Sequence, residues 1–136
     1  MEIEVFCQLI LATLLGALIG LEREYKRKGA GLQTFSLVAL GASLLTVITL
    51  QFGSFNPAII QAIAIGIGFI EAGVIFRQPS GTVGLTTAAG LWTTAAIGLA
   101  VGSGFYLLAL FTTFLALLIL SGLGLLEEKI FSKEKE

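Results

Sequence analysis

The chain has 136 residues, 56% of them hydrophobic and 12% charged, with a formal net charge of -1 and a mean hydropathy of +0.97. A soluble domain is about 25% charged, so this composition excludes a chain that covers itself with polar surface in water, and the near-neutral balance offers nothing to a nucleic-acid partner. One cysteine, no histidine and no aspartate remove an internal disulfide, Ser-His-Asp and Cys-His catalysis, and the commonest zinc ligand, so neither an enzyme nor a cofactor is expected.

Apolar runs of about 20 residues, enough to cross roughly 30 Å of hydrocarbon as a helix, recur along the chain. The expected fold is all-α: a polytopic membrane protein with five transmembrane helices in one domain, 1–126, followed by a short charged cytoplasmic tail, 127–136. Span 1 covers about 3–21. It starts MEIEVF, which is acidic, and its basic flank comes after it, the reverse of a signal peptide, so it is read as retained. Ala12, Gly16 and Gly20 recur every four residues as one small face, and Glu24 continues that face toward the other helices. Glu22 and Arg23 share this helix end. Lys26, Arg27 and Lys28 follow as an orientation signal that also attracts anionic headgroups.

Span 2, about 32–52, opens with AGLQT (30–34), which contains Thr34, and GSFNP separates it from span 3, about 58–76. Span 3 carries Ala64, Gly68 and Ala72 at the same interval of four, and it holds Glu71 inside IGFIEAGVIF, an apolar run and not a nucleotide fingerprint. RQPSGT follows, with Arg77. Span 4, about 83–101, opens with VGLTT, which contains Thr87, and continues with Gly90, Thr94, Gly98 and Gly102 at intervals of four. The shared Gly-Leu-x-Thr hints at a weak repeat of spans 2–3 and 4–5, and two helix N-termini on one side could hold an anion or a carboxylate such as Glu71. Mid-span Trp92 is expected to pack against a neighbouring helix. Span 5, about 104–126, is mostly large and apolar. The small faces predict a tight bundle of spans 1, 3 and 4, with span 5 turned to lipid and a substitution at Ala109 harmless.

Orientation follows from charge. With five spans, Arg23, Lys26, Arg27, Lys28, Arg77, Lys129, Lys133 and Lys135 all fall on one side, and they are every Lys and Arg in the chain. Basic flanks stay inside, so the N-terminus is expected outside and the C-terminus in the cytoplasm of a plasma (inner) membrane protein. Phe52, Phe55, Phe105 and Tyr106 fall near the outer boundary, and Tyr25 and Phe131 near the inner one.

Glu71 is the deep acid. Such a group in hydrocarbon costs on the order of 2.5–3.5 kcal/mol, so it is expected to face protein or water and to have a partner. Arg77, six residues on, is outside the contact range along a helix, which leaves Arg23 and the helix ends at 31–34 and 84–87. Glu71, Glu22, Arg23, Glu24, Arg77, Thr34 and Thr87 are the candidate functional or ion-binding residues. Mg²⁺ keeps several waters and wants octahedral oxygen ligands, so Glu71 is its best candidate ligand, repeated around an oligomer.

GALIGLEREYKRKGAGLQTFSLVALGASL, GIGFIEAGVIF and VGLTTAAGLWTTAAIGLAVGSGFY resemble, in order and spacing, the three signature blocks of the MgtC/SapB membrane proteins. The resemblance runs from Leu15 to Tyr106. It implies a prokaryotic inner-membrane protein of about five spans, linked to magnesium homeostasis and growth at low magnesium. It implies a regulatory or interaction module, with a small magnesium or other cation transporter as the alternative, working with the bilayer and with itself or another membrane protein. Founding members carry a soluble C-terminal domain, and this chain is expected to lack it. Gln33 and Phe35 stand where the family has Arg and His, and Glu71 where it has Gly.

Overall fold

The computed structural model describes residues 2–54 and 56–131; Phe55, Lys133, Lys135 and the end of the expected tail lie outside them. The helices run in chain order as α1 (Glu2–Tyr25), α2 (Leu32–Gln51), α3 (Ala58–Val74), α4 (Leu85–Gly102) and α5 (Tyr106–Leu117). A π-helical segment (Leu118–Leu123) carries α5 into α6 (Gly124–Phe131), so the last span is one helical rod of 26 residues. Four of these rods are long and apolar enough to cross a membrane. The helix α3 has 17 residues, about 26 Å of rise, the short end of what spans hydrocarbon.

Several boundaries differ from the sequence reading, and α1 runs on to Tyr25 where 21 was expected. Span 3 stops at Val74 instead of 76, and a two-stranded antiparallel hairpin follows, β1 (Phe76–Gln78) against β2 (Gly81–Val83), in register Phe76 with Val83 and Arg77 with Thr82. Span 4 then starts at Leu85 because Gly84 turns left-handed, at φ 93°. A Cβ at Gly84 would also collide with the carbonyl oxygen of Val74, so the hairpin closes tightly onto the end of α3. Span 5 runs past 126 to Phe131.

The packing corrects the expected bundle. The tight core is α1, α2 and α4, each packed on the other two, with α2 making the largest contact with both. Phe35, Ala39 and Ser43 of α2 are fully buried. A Cβ on Gly16 of α1 would stand 2.6 Å from the Phe35 carbonyl oxygen, and one on Gly20 would stand 2.8 Å from Leu32 Cα. From the other side, a Cβ on Gly102 of α4 would stand 2.7 Å from the Ser43 carbonyl oxygen, and one on Gly90 would stand 3.3 Å from the Phe35 ring. Backbones therefore approach as closely as small residues permit, the way helices associate where burial from water gives no drive. Ala12 is fully buried on the same face of α1.

Peripheral α3 rests mainly on α4. Its buried residues are Ile63 and Ile67. Ala72 is exposed, Gly68 has no atom within 4 Å of an added Cβ, and Ala64 only lines a shallow groove with Trp92. Spacing shows that a helix can be approached closely, and here the large face one residue away is the one that is used. Trp92 is 55% exposed, with one edge on that groove and the rest outward. The last span is largely exposed, yet Ala109, Thr113, Ala116 and Leu120 form a buried stripe. Ala109 is 0% exposed, so substitution there is not harmless, contrary to expectation.

Candidate functional site

The candidate residues gather where α1 ends. The last turn of α1 closes with Lys28 N–H donating to the Arg23 carbonyl (3.0 Å) and Arg27 N–H to that of Glu24 (3.0 Å). Arg27 takes the left-handed conformation that usually falls to glycine, φ 53°. This compact end lets one short stretch send side chains to three different helices.

Arg23 is 3% exposed. One guanidinium nitrogen, Nη2, donates to Thr87 Oγ1 on α4 (3.2 Å), and Nη1 lies 3.4 Å from Glu22 Oε2. Among the described residues, its buried Nε has no hydrogen-bond partner. Glu22 is shared between two cations, because Lys26 Nζ lies 2.7 Å from its other oxygen, Oε1, one helical turn on. The same ammonium donates to the Leu120 carbonyl in the π-helical segment (2.8 Å). Glu22, Arg23 and Thr87 thus form one network, and Lys26 extends it to the last span.

Glu24 turns the other way and accepts the Leu32 N–H at the start of α2 (3.0 Å). Its carboxylate fills the space that a side chain on Gly31 would need, and it serves as the cap of α2 at the positive end of that helix. The helix end that could have received Glu71 is therefore occupied by a carboxylate eight residues upstream. Thr34 lines the shallow depression beside Glu24.

Glu71 stands apart. Arg23 is engaged with Glu22 and Thr87 and does not serve as the expected partner. Among the described residues, the buried Oε1 of Glu71 has no hydrogen-bond partner. Arg77 is exposed on β1, opposite Thr82. The structure brings Glu22, Arg23 and Thr87 together, sets Glu24 and Thr34 beside them, and leaves Glu71 and Arg77 outside. Among the described residues no group of three or more Cys, Asp or Glu is placed to hold a metal ion.

Three participants are absent from the sequence reading. Lys26 reads there as an orientation charge alone, although its position four residues after Glu22 is an ion-pair spacing. Gly31 gives no sign that a carboxylate fills its space. At the opposite end, buried Gln8 donates from Nε2 to the Tyr106 hydroxyl (3.0 Å) and ties α1 to the start of α5.

Comparison with known proteins gives a consistent set. The model of the MgtC family matches residues 9–129. Protein SrpB of Synechococcus elongatus is 40% identical over 131 residues, covering 85% of this chain and 72% of that protein. YhiD of Escherichia coli K12, by name a provisional magnesium transporter, is 37% identical over 143 residues, 98% of this chain and 66% of its own length. Protein MgtC of Salmonella typhimurium is 44% identical over 110 residues, 80% of this chain and 48% of its own. The chain thus spans about half to three-quarters of these relatives. No solved structure matches it.

Proposed function

The chain belongs to the MgtC family, and from that premise we propose that it serves magnesium homeostasis as a regulatory or interaction module of the inner membrane, without enzymatic activity. The observation that carries this reading is the unequal use of its small residues. Glycines of α1 and α4 are filled by α2, whereas Gly41 of α2 and Gly66 of α3 have no atom within 4 Å of an added Cβ and border an open apolar groove between those helices. Such faces fit close approach by another membrane helix, from a second copy or from another membrane protein.

A second reading has its own support. The unpartnered Oε1 of Glu71 is the kind of intramembrane acid that marks an ion path, so the chain would conduct Mg²⁺ or another cation through an oligomer that repeats Glu71. Magnesium flux into proteoliposomes, against empty vesicles, separates the two. The module reading expects no flux above the control and expects Glu71→Gln to support growth at low magnesium as well as the unaltered chain does. Flux that Glu71→Gln abolishes, with the variant still folded, would overturn it.

Both readings share an orientation, N-terminus outside and C-terminus in the cytoplasm. In a Cys7→Ser background, Ser54→Cys and Lys28→Cys, at opposite ends of α2, should react from opposite faces of sealed vesicles, with Lys28→Cys reached from the cytoplasmic face. Reaction from the reverse faces would invert the orientation.

A further inference from the structure

A π-helical turn inside an otherwise α-helical span is uncommon and tends to sit where a protein needs a local adjustment. Here it occupies Leu118–Leu123, and a cation from a distant part of the chain meets it. We infer that the Lys26 ammonium, seated on the Leu120 carbonyl within that turn, is a latch that holds the last span in its π-helical register and so sets the direction of the face that α6 presents.

Three independent features support the latch. The contact is short, at 2.8 Å, and joins residues 94 apart in sequence. The ammonium is also held from behind by Glu22 Oε1 at 2.7 Å, and the left-handed turn at Arg27 fixes the backbone beside it. Beside it the span has a glycine: a Cβ on Gly124 would lie 3.4 Å from Lys26 Nζ, in contact with it, so a large side chain there reaches into the seat. A carbonyl oxygen has two lone pairs, and an ammonium has three donors. One ammonium can therefore serve the Leu120 carbonyl and Glu22 at once.

The two registers aim the C-terminal end of the span differently. Should the segment tighten to an α-helix, the chain after it turns by about 100°, the angle of one residue. α6 has no buried residue, so no core packing fixes the face it presents. The first connecting loop thus controls the last helix, with Lys26 as the positioning residue.

The test scans single cysteines from Leu125 to Phe131, in the full chain with Cys7→Ser, for reactivity with a water-soluble maleimide in lipid nanodiscs. Lys26→Met is expected to shift the reactive positions by one residue and to slow amide hydrogen exchange over 118–124. Lys28→Met, which removes an exposed charge from the same loop, should leave both unchanged. Where Lys26→Met fails to fold, Gly124→Leu keeps the ammonium but takes its seat and should give the same shift. An unchanged pattern in the variants that fold, or an equal shift in Lys28→Met, would overturn the latch.

Discussion

Gly98→Leu is expected to lower the melting temperature in detergent by about 10 °C, or to abolish a monodisperse fold. A Cβ at Gly98 would stand 3.0 Å from both the Cα and the carbonyl carbon of Ala39 and closer still to the carbonyl oxygen. Those are backbone atoms of a fully buried residue, so no rotamer change relieves the clash and the two helices must separate. Separation also breaks the approach of Gly102 to Ser43, one turn along the same seam. Overpacking of this kind costs about 1–3 kcal/mol or more, and each kcal/mol is worth several degrees in a chain of this size. Gly68→Leu on α3 meets open space and should move the midpoint by no more than about 2 °C. A similar fall in both variants, measured by thermal unfolding in one detergent, would sink the assignment of the core to α1, α2 and α4.

Glu22→Gln should be the most damaging polar change, and worse than Arg23→Met. The Glu22 side chain is 10% exposed, and it faces Arg23 at 3% and Lys26 at 29%. Removing its charge leaves two cations against each other, one of them buried. Removing Arg23 instead leaves the Glu22–Lys26 pair intact. Breaking a buried pair by deleting one partner costs on the order of 3–5 kcal/mol, because an uncompensated charge remains. The double variant Glu22→Gln with Arg23→Met should therefore recover part of the loss. Equal damage from the two single changes, or no recovery in the double, would show that the network acts by shape and not by charge.

The spans were legible because charge-free runs of membrane length admit few alternatives. Their packing was less so. The stripe on α1 reads directly as Ala12, Gly16 and Gly20, yet nothing in it names α2 as the helix that fills it. Ala39 and Ser43 of α2 share that spacing, but Phe35 at the head of the series hides it, since a bulky ring does not look like a close-approach face until Gly90 is seen beneath it. Glu22 and Lys26 are one turn apart and could be paired from sequence alone. The Lys26 contact to Leu120 could not, because it depends on how the first and last spans lie together. For Glu71 the chain signals that a partner is wanted, and the fold supplies none from its described residues.

The capping of α2 by Glu24 also bears on the order in which the chain is made. That bond closes over eight residues, and the seats of Gly16 and Gly20 lie on the helix that comes directly after, so the first two helices can settle as a hairpin as soon as they leave the ribosome. At about 5–20 residues per second, α4 emerges roughly 3–10 seconds later. Through that interval the second face of α2, with Ser43 on it, has yet to meet the α4 seam that buries it in the finished fold. The nascent hairpin is thus a template on which the later helix docks. A change at Gly16 would strike the α1–α2 seam itself, while one at Gly98 would strike only the seam where α4 docks on it.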